Sequence, residues 1–410
     1  MMMRTFLTTV LMLLLGAPCP AWAAAESLLD DEEATKAETL KLLDATGAKA
    51  RFVSVATINS DQDPDEDILL IDELGTVWLL LNERDCKFAK PQMIAGPVND
   101  VPGPVSLDLS DVDLDNDEDI LITNRMGVVY LVVSEGRGRY RNMAKISNEL
   151  NTASGPVQVR VTDVDLDNDE DIIVGNAEGI LYKIENVGMG KFGGATALTR
   201  IPGLAPGPYD YVFTDLDFDN DEEIVLIDAR ETVFLLENLR DRFGAPRKIA
   251  GPLTGAPGTV DIEIADYDYD GDDDLIILGA TGAVLLLENK GKGVFSSTPK
   301  QIAPPLGPEG GSRILAMSDI DAETSEDVVV VNTKGWVFLV ENDGEGVYGK
   351  PECLTDSIEM SAGAASATRE DLNGDGFEDT LILDGAGHLY LVLGIYDPME
   401  ERLRGLEDDL

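Results

Sequence analysis

The segment from Asp111 to Asp119 reads Asp-Val-Asp-Leu-Asp-Asn-Asp-Glu-Asp, six carboxylates in nine residues with no Lys or Arg among them. Left alone, such charges repel. A hard divalent cation turns the repulsion into coordination, because oxygens at positions one, three and five, a main-chain carbonyl at seven and a carboxylate at nine supply about six or seven ligands. Calcium suits that set, and magnesium, with its strict octahedron and slow dehydration, is the alternative. Related loops begin at Asn59, Asp111, Asp163, Asp215, Asp266, Asp319 and Asp371, at intervals of 51 to 53 residues, so the chain holds seven copies of one unit.

The loops differ in their ligands. Unit two offers Asp111, Asp113, Asp115, Asp117 and Asp119, and unit three Asp163, Asp165, Asp167, Asp169 and Asp171. Unit five offers Asp266, Asp268, Asp270, Asp272 and Asp274. Unit four, with Asp215, Asp217, Asp219 and Asp221, ends on the longer Glu223. Unit seven uses Asp371, Asn373, Asp375, the carbonyl of Phe377, and Asp379. Two weaker sets are expected. Unit one, Asn59, Asp61, Asp63, Asp65 and Asp67, starts on a neutral amide and has Pro64 at the turn, where φ is locked negative. Unit six, Asp319, Asp321, Glu323, Ser325 and Asp327, breaks the pattern at positions five and six. In the other five units position six is Asn116, Asn168, Asn220, Gly271 or Gly376, types that accept a positive φ. These loops predict about five to seven calcium ions per chain.

The elements around the loops follow from periodicity. In unit three Val157 to Val161 alternates apolar and polar before the loop, Ile172 to Val174 leaves it as an apolar run, Ile180 to Glu185 is a third strand and Ala197 to Ile201 a weaker fourth. Seven four-stranded antiparallel units predict an all-β fold, a seven-bladed β-propeller with an acidic loop between the first and second strand of each blade. An aromatic recurs after the third strand as Phe88, Tyr140, Phe192, Phe243, Phe295 and Tyr348, which suggests one structural pocket per unit. Unit seven stops after three strands. Thr39 to Leu43 falls where a fourth strand would be supplied, although Glu32 to Asp44 also has helix-forming composition, so strand and helix both stand open. The propeller then spans 39–397, between a lead segment at 24–38 and an acidic tail at 398–410. With the first strands innermost, Asp108, Arg160 and Asp210 face a polar channel, where Arg160 is expected to bridge both carboxylates.

The formal charge is −47, yet 38 of the 78 acidic residues lie in the seven loops, so the acidity is mostly local to them. So negative a chain is a poor partner for nucleic acid. Arg4, the apolar run Phe6 to Leu15 and Ala21-Trp22-Ala23 read as a signal peptide over residues 1–23, which places the mature protein outside the cytoplasm. No later segment offers a membrane span of about 18 apolar residues. Cys86 and Cys353 sit at different phases of the repeat and are expected as separate thiols. The single histidine, His388, is expected at a solvent-edge turn, and no catalytic constellation is visible.

The run Asp-x-Asp-x-Asp-Gly/Asn-x-x-Asp, the apolar strand after it, endings such as Leu286 to Phe295, and Phe192-Gly193 and Phe243-Gly244 together resemble FG-GAP/VCBS-type repeats, over about 350 residues. Integrin α-subunit propellers and several secreted lectins are built of such units. The resemblance implies calcium in the inter-strand loop, and a role in adhesion, sugar binding or as an accessory domain of an enzyme. A protein-interaction or adhesion module is expected, working extracellularly or in the periplasm through the face opposite the loops, where Asn99 to Pro104, Asn148 to Ser154, Leu204 to Tyr211 and Pro304 to Ser312 gather. The alternative is a calcium-dependent lectin stacking sugar on Tyr209 or Trp336.

Overall fold

The computed structural model describes residues 37–394, apart from 38, 44–49, 206, 208, 241, 255–257, 259–260, 307–311, 319–324, 345, 356–357, 359 and 361–362. The expected signal peptide and acidic tail lie outside the described residues. Seven sheets, each of four antiparallel strands, follow one another along the chain, and no α-helix occurs among the described residues. In unit one the meander runs Phe52–Ile58, Asp67–Asp72, Val77–Leu80 and Gln92–Ala95, in that order across the sheet.

The second strand of each blade is buried along its whole length, from Asp67–Asp72 to Asp379–Asp384. A strand covered on both faces needs no polar side, which is why Ile68 to Ile71 and Val328 to Val331 read as unbroken apolar runs. One face packs on the preceding blade and the other on the next. Leu216, Val225 and Ile227 of unit four, for example, meet Leu275 and Ile277 of unit five in a single core, and each such side chain stabilises by roughly 1.5–3 kcal/mol. The recurrent aromatics belong to these seams: Phe243 is buried in the core between units three and four, and Phe192 packs on the core between units two and three.

Thr39–Leu43 is a strand. It pairs antiparallel with Leu389–Val392, Thr39 opposite Val392, and so completes the sheet of Asp379–Asp384 and Ala364–Glu370. The open edge of Leu389–Val392 offers unpaired backbone groups that only a strand can satisfy, which outweighs the helix-forming composition nearby.

The first strands of adjacent blades contact one another, among them Ser106–Ser110 with Gln158–Thr162 and Tyr209–Thr214 with Asp261–Ala265, and they form the inner wall. Arg160 lies on that wall, but the expected two-sided bridge is one-sided. Its Nη2 is 3.5 Å from Asp210 Oδ1, and Asp108 forms no ion pair among the described residues. Burial holds Asp108 up at about 6 in spite of the nearby guanidinium.

Candidate metal-binding loops

In units one to five and seven the acidic loop joins the first strand of the blade to the second through a run of turns and bends. The position-one carboxylate clasps the loop: Asp111 accepts the N–H groups of Asp115 and Asn116 at 3.0 and 2.8 Å, and Asp371 those of Asp375 and Gly376 at 3.2 and 2.8 Å. Position six takes positive φ as expected, at 67° in Asn116 and 89° in Gly271. Position four does so too, which its residue types did not announce: Leu114, Leu166, Phe218 and Tyr269 stand at 60°, 62°, 63° and 56°. Bulky residues there cost roughly 1–2 kcal/mol each, and burial does not compensate, since all four side chains are exposed.

Position nine is the buried end of the site. One of its oxygens accepts the N–H of the residue fifteen further on, just after the third strand: Ser134 to Asp119 at 2.7 Å, Asn289 to Asp274 at 2.6 Å, Gly394 to Asp379 at 2.7 Å. That bond ties the position-nine residue to the strand ladder. In units two and five the other oxygen is left over. In unit five Asp266 Oδ1, Asp268 Oδ1 and Asp274 Oδ2 are all buried without a hydrogen bond, and these three residues bring an oxygen each within 4.8 Å of one another. Buried, unpartnered carboxylate oxygens converging on one point fit a hard cation. Burial, with Asp268 and Asp270 adding to it, pushes Asp274 up to about 8.

The other loops depart from this one in specific ways. Unit two gathers Asp111, Asp113 and Asp115, with Asp119 Oδ2 buried and unpartnered. In unit four the longer arm of Glu223 reaches Asp215 and Asp217. In unit seven Asp379 Oδ2 already accepts the N–H of Leu372 at 3.2 Å. In unit one Asn59 donates its amide to the Asp63 carbonyl at 2.6 Å instead of clasping, and Ser60 donates its hydroxyl to Asp67. Asp319, Asp321 and Glu323 of unit six lie outside the described residues, while the Ser325 hydroxyl donates to the Asn342 carbonyl and Asp327 Oδ1 accepts the Asn342 N–H. Unit three gathers Asp163, Asp165 and Asp167, but the ammonium of Lys183 stands among its carboxylates.

Two contacts that join neighbouring blades were legible only by aligning the units. Asn186 and Asn238, after the third strands, donate their side-chain amides to the position-two carbonyls of the preceding blade, Val112 at 2.9 Å and Val164 at 3.0 Å. Glu231, where most units have a turn glycine, is fully buried, and its carboxylate accepts Thr254 Oγ1 at 2.6 Å and the Ala280 N–H at 2.8 Å, joining blades four and five.

Two expectations are corrected. Tyr209 and Trp336 are buried in the seams, Tyr209 with its hydroxyl donating to the Asn176 carbonyl at 3.0 Å, so neither is open to a sugar. His388 is not at a solvent edge: its ring sits 2.9 Å from Asp384 Oδ2, with the side chain 15% exposed. Exposed apolar side chains stand at the acid-loop end. Besides the four at position four, Val187, Met189, Leu239, Val294 and Val347 stand out in the connections after the third strands. Those connections flank the loops, since a Cβ on Gly188 or Gly291 would meet Asp169 or Asp272.

No curated protein sequence matches the chain. Among solved structures, BP39L lectin from Burkholderia pseudomallei is similar with a TM-score of 0.64 at 15% identity, covering 84% of this chain and 98% of its own. An Agrocybe aegerita lectin that recognises non-reducing terminal N-acetylglucosamine gives 0.60 at 19%, covering 75% and 81%. BBS1N, in its complex with ARL6DN, gives 0.54 at 12%, covering 88% and 98%. At these identities the likeness is one of fold. The chain is a seven-bladed β-propeller, and its residues 111–174, from the acidic loop of unit two into the second strand of unit three, match the family model of the FG-GAP-like repeat.

Proposed function

We propose that this propeller is a calcium-held binding module that works outside the cytoplasm, docking a protein partner in interaction or adhesion. The observation that carries the metal is the trio of buried, unpartnered oxygens in unit five, on Asp266, Asp268 and Asp274. Calcium would be held there by those carboxylates, Asp270 and the carbonyl of Asp272, and its role is to cancel their repulsion and set the loop. Units two and four also bring three acidic side chains together, and unit seven keeps the ligand sequence with Asp371, Asn373, Asp375 and Asp379, so the proposal extends to these three. Quantified after gel filtration, bound calcium is expected at about four ions per chain; zero or one would overturn the reading.

The docking face in this proposal is the acid-loop end. Leu114, Phe218, Tyr269 and Met189 are exposed there, and Val101 is exposed opposite. Loops set by calcium would present these side chains at fixed positions, and binding would be lost in chelator. The export reading rests on Arg4, Phe6 to Leu15 and Ala21-Trp22-Ala23. Sequencing the mature N-terminus is expected to find Ala24 first, and a retained Met1 would refute it.

A second reading is a lectin, favoured by the two lectins of like fold. Its aromatic platform would be Tyr269 or Phe218. A glycan array run with and without calcium separates the two readings: a calcium-dependent sugar signal lost in Tyr269→Ala selects the lectin.

A further inference from the structure

Unit three has the regular acidic sequence, with Asp at positions one, three, five, seven and nine, yet a cation from its own chain lies inside it. Lys183 Nζ stands 2.5 Å from Asp165 Oδ2 and 2.7 Å from Asp171 Oδ2, the position-three and position-nine carboxylates, and the side chain is 13% exposed. Lys183 is in the third strand, opposite Ile173. The residue at the same register is Leu79, Leu131, Leu235, Leu286, Leu339 and Leu391 in the six other units, and all six leucines are buried in the seams. One blade of seven has exchanged a core leucine for the one long side chain whose tip can reach the loop.

Other basic residues touch the loops differently. Arg84 meets Asp65 at 3.5 Å, Arg141 meets Asp113 at 3.8 Å and Arg240 meets Asp221 at 3.3 Å, each as an exposed guanidinium on one loop carboxylate, and Arg141 also holds Glu135 outside the loop. Those arms can swing away into water. Lys183 rises from inside the blade, its stem replacing packed leucine, and its ammonium sits between two carboxylates that in unit five converge unpartnered.

We propose that Lys183 is a tethered counter-ion that takes the place of the metal in unit three, so that this loop is set without calcium while its sister loops require it. The half of this statement that concerns the sister loops rests on the calcium reading above; the half that concerns Lys183 does not. An ammonium matches one charge of a divalent ion and donates at most three hydrogen bonds, so it can clasp positions three and nine but cannot gather the whole ligand set. A calcium ion would have to expel it from between two carboxylates and leave it half-buried and unpaired.

The test uses the full-length mature protein and calcium itself. Wild type and Lys183→Leu, which restores the residue of the sister blades, are compared for bound metal at saturation. The variant is expected to hold one ion more than the wild type; equal, non-zero counts would overturn the proposal. Lys183→Met serves the same purpose if leucine disturbs the seam. A second measurement needs no metal: reductive methylation in chelator, read lysine by lysine by mass spectrometry. Lys183 is expected to react about tenfold more slowly than Lys145 and Lys290, because burial shields it from the reagent and two carboxylates hold its proton. Reaction at the rate of Lys145, or release of Lys183 to the reagent when calcium is added, would overturn the proposal. If neither protein binds metal, the calcium reading falls and the methylation rates alone judge Lys183.

Discussion

Units three and five share Asp at positions one, three, five, seven and nine, but differ in what stands beneath the loop. In unit five Leu286 fills the seam, Asp274 Oδ2 has no partner, and burial carries that carboxyl up to about 8. In unit three Lys183 occupies the same register, and Asp171, equally buried, rises only to about 6 because the ammonium bonds it and offsets part of the burial. One residue twenty positions after the start of a loop decides whether that loop is left short of positive charge. Ligand spacing therefore describes what a loop can bind, and the packing below it decides what the loop still needs.

The largest effect expected from this difference is that of removing metal. A ligand bound to the folded state alone stabilises by about 2.7 kcal/mol per site at a hundredfold excess over Kd, so chelator should lower the melting temperature steeply. Hydrogen exchange should show the loss at unit five and spare unit three. A melting curve indifferent to chelator would sink the calcium reading.

Substitution of the two position-nine residues comes next. Asp274→Asn is expected to cost about 2–3 kcal/mol in calcium and little in chelator, since it removes a ligand and also a buried charge. Asp171→Asn leaves Lys183 with one partner instead of two, so it is expected to cost about 1–3 kcal/mol whether or not calcium is present. Denaturant melts of both variants in both buffers measure this; equal calcium dependence of the two variants would erase the distinction.

Acidity should sharpen it further. Asp274 titrates in the folded protein near 8, above the ordinary aspartate value of about 4. Its contribution to stability is thus fully present below about 4 and is lost as pH rises through about 8. In chelator the melting temperature should keep falling between about pH 6 and 8, and Asp274→Asn should remove part of that fall. Asp171, at about 6, has completed its loss by then, so its Asn variant should keep the slope. Calcium binds the ionised carboxylate and should flatten the curve.

The smallest effect concerns the axis. Arg160 is 35% exposed and pairs with Asp210 at 3.5 Å, so Arg160→Met is expected to cost about 1 kcal/mol. A double-mutant cycle with Asp210→Asn should show coupling, and a cycle with Asp108→Asn should show less.

Much of this molecule was determined by sequence alone. A nine-residue acidic pattern repeated every 51 to 53 residues, with a continuous apolar run after each copy, dictates strand, loop and strand seven times over, because both signals are local: hydrophobic period and charge density. The convergence of acidic side chains in units two to five, the turn at Asn116 and Gly271, and the defect at Asn59 were legible for the same reason. What only the tertiary structure decided depends on which residues meet across a seam. Thr39–Leu43 became a strand because the edge of Leu389–Val392 stood open, and Tyr209 and Trp336 were withdrawn from solvent because blades pack on both faces. Lys183 reads in the sequence as one polar residue in an alternating strand. Its meaning arises only when the second and third strands pair and bring its ammonium to 2.5 and 2.7 Å from two carboxylates more than ten residues earlier in the chain, since Coulomb attraction follows distance through space and takes no account of separation along the sequence.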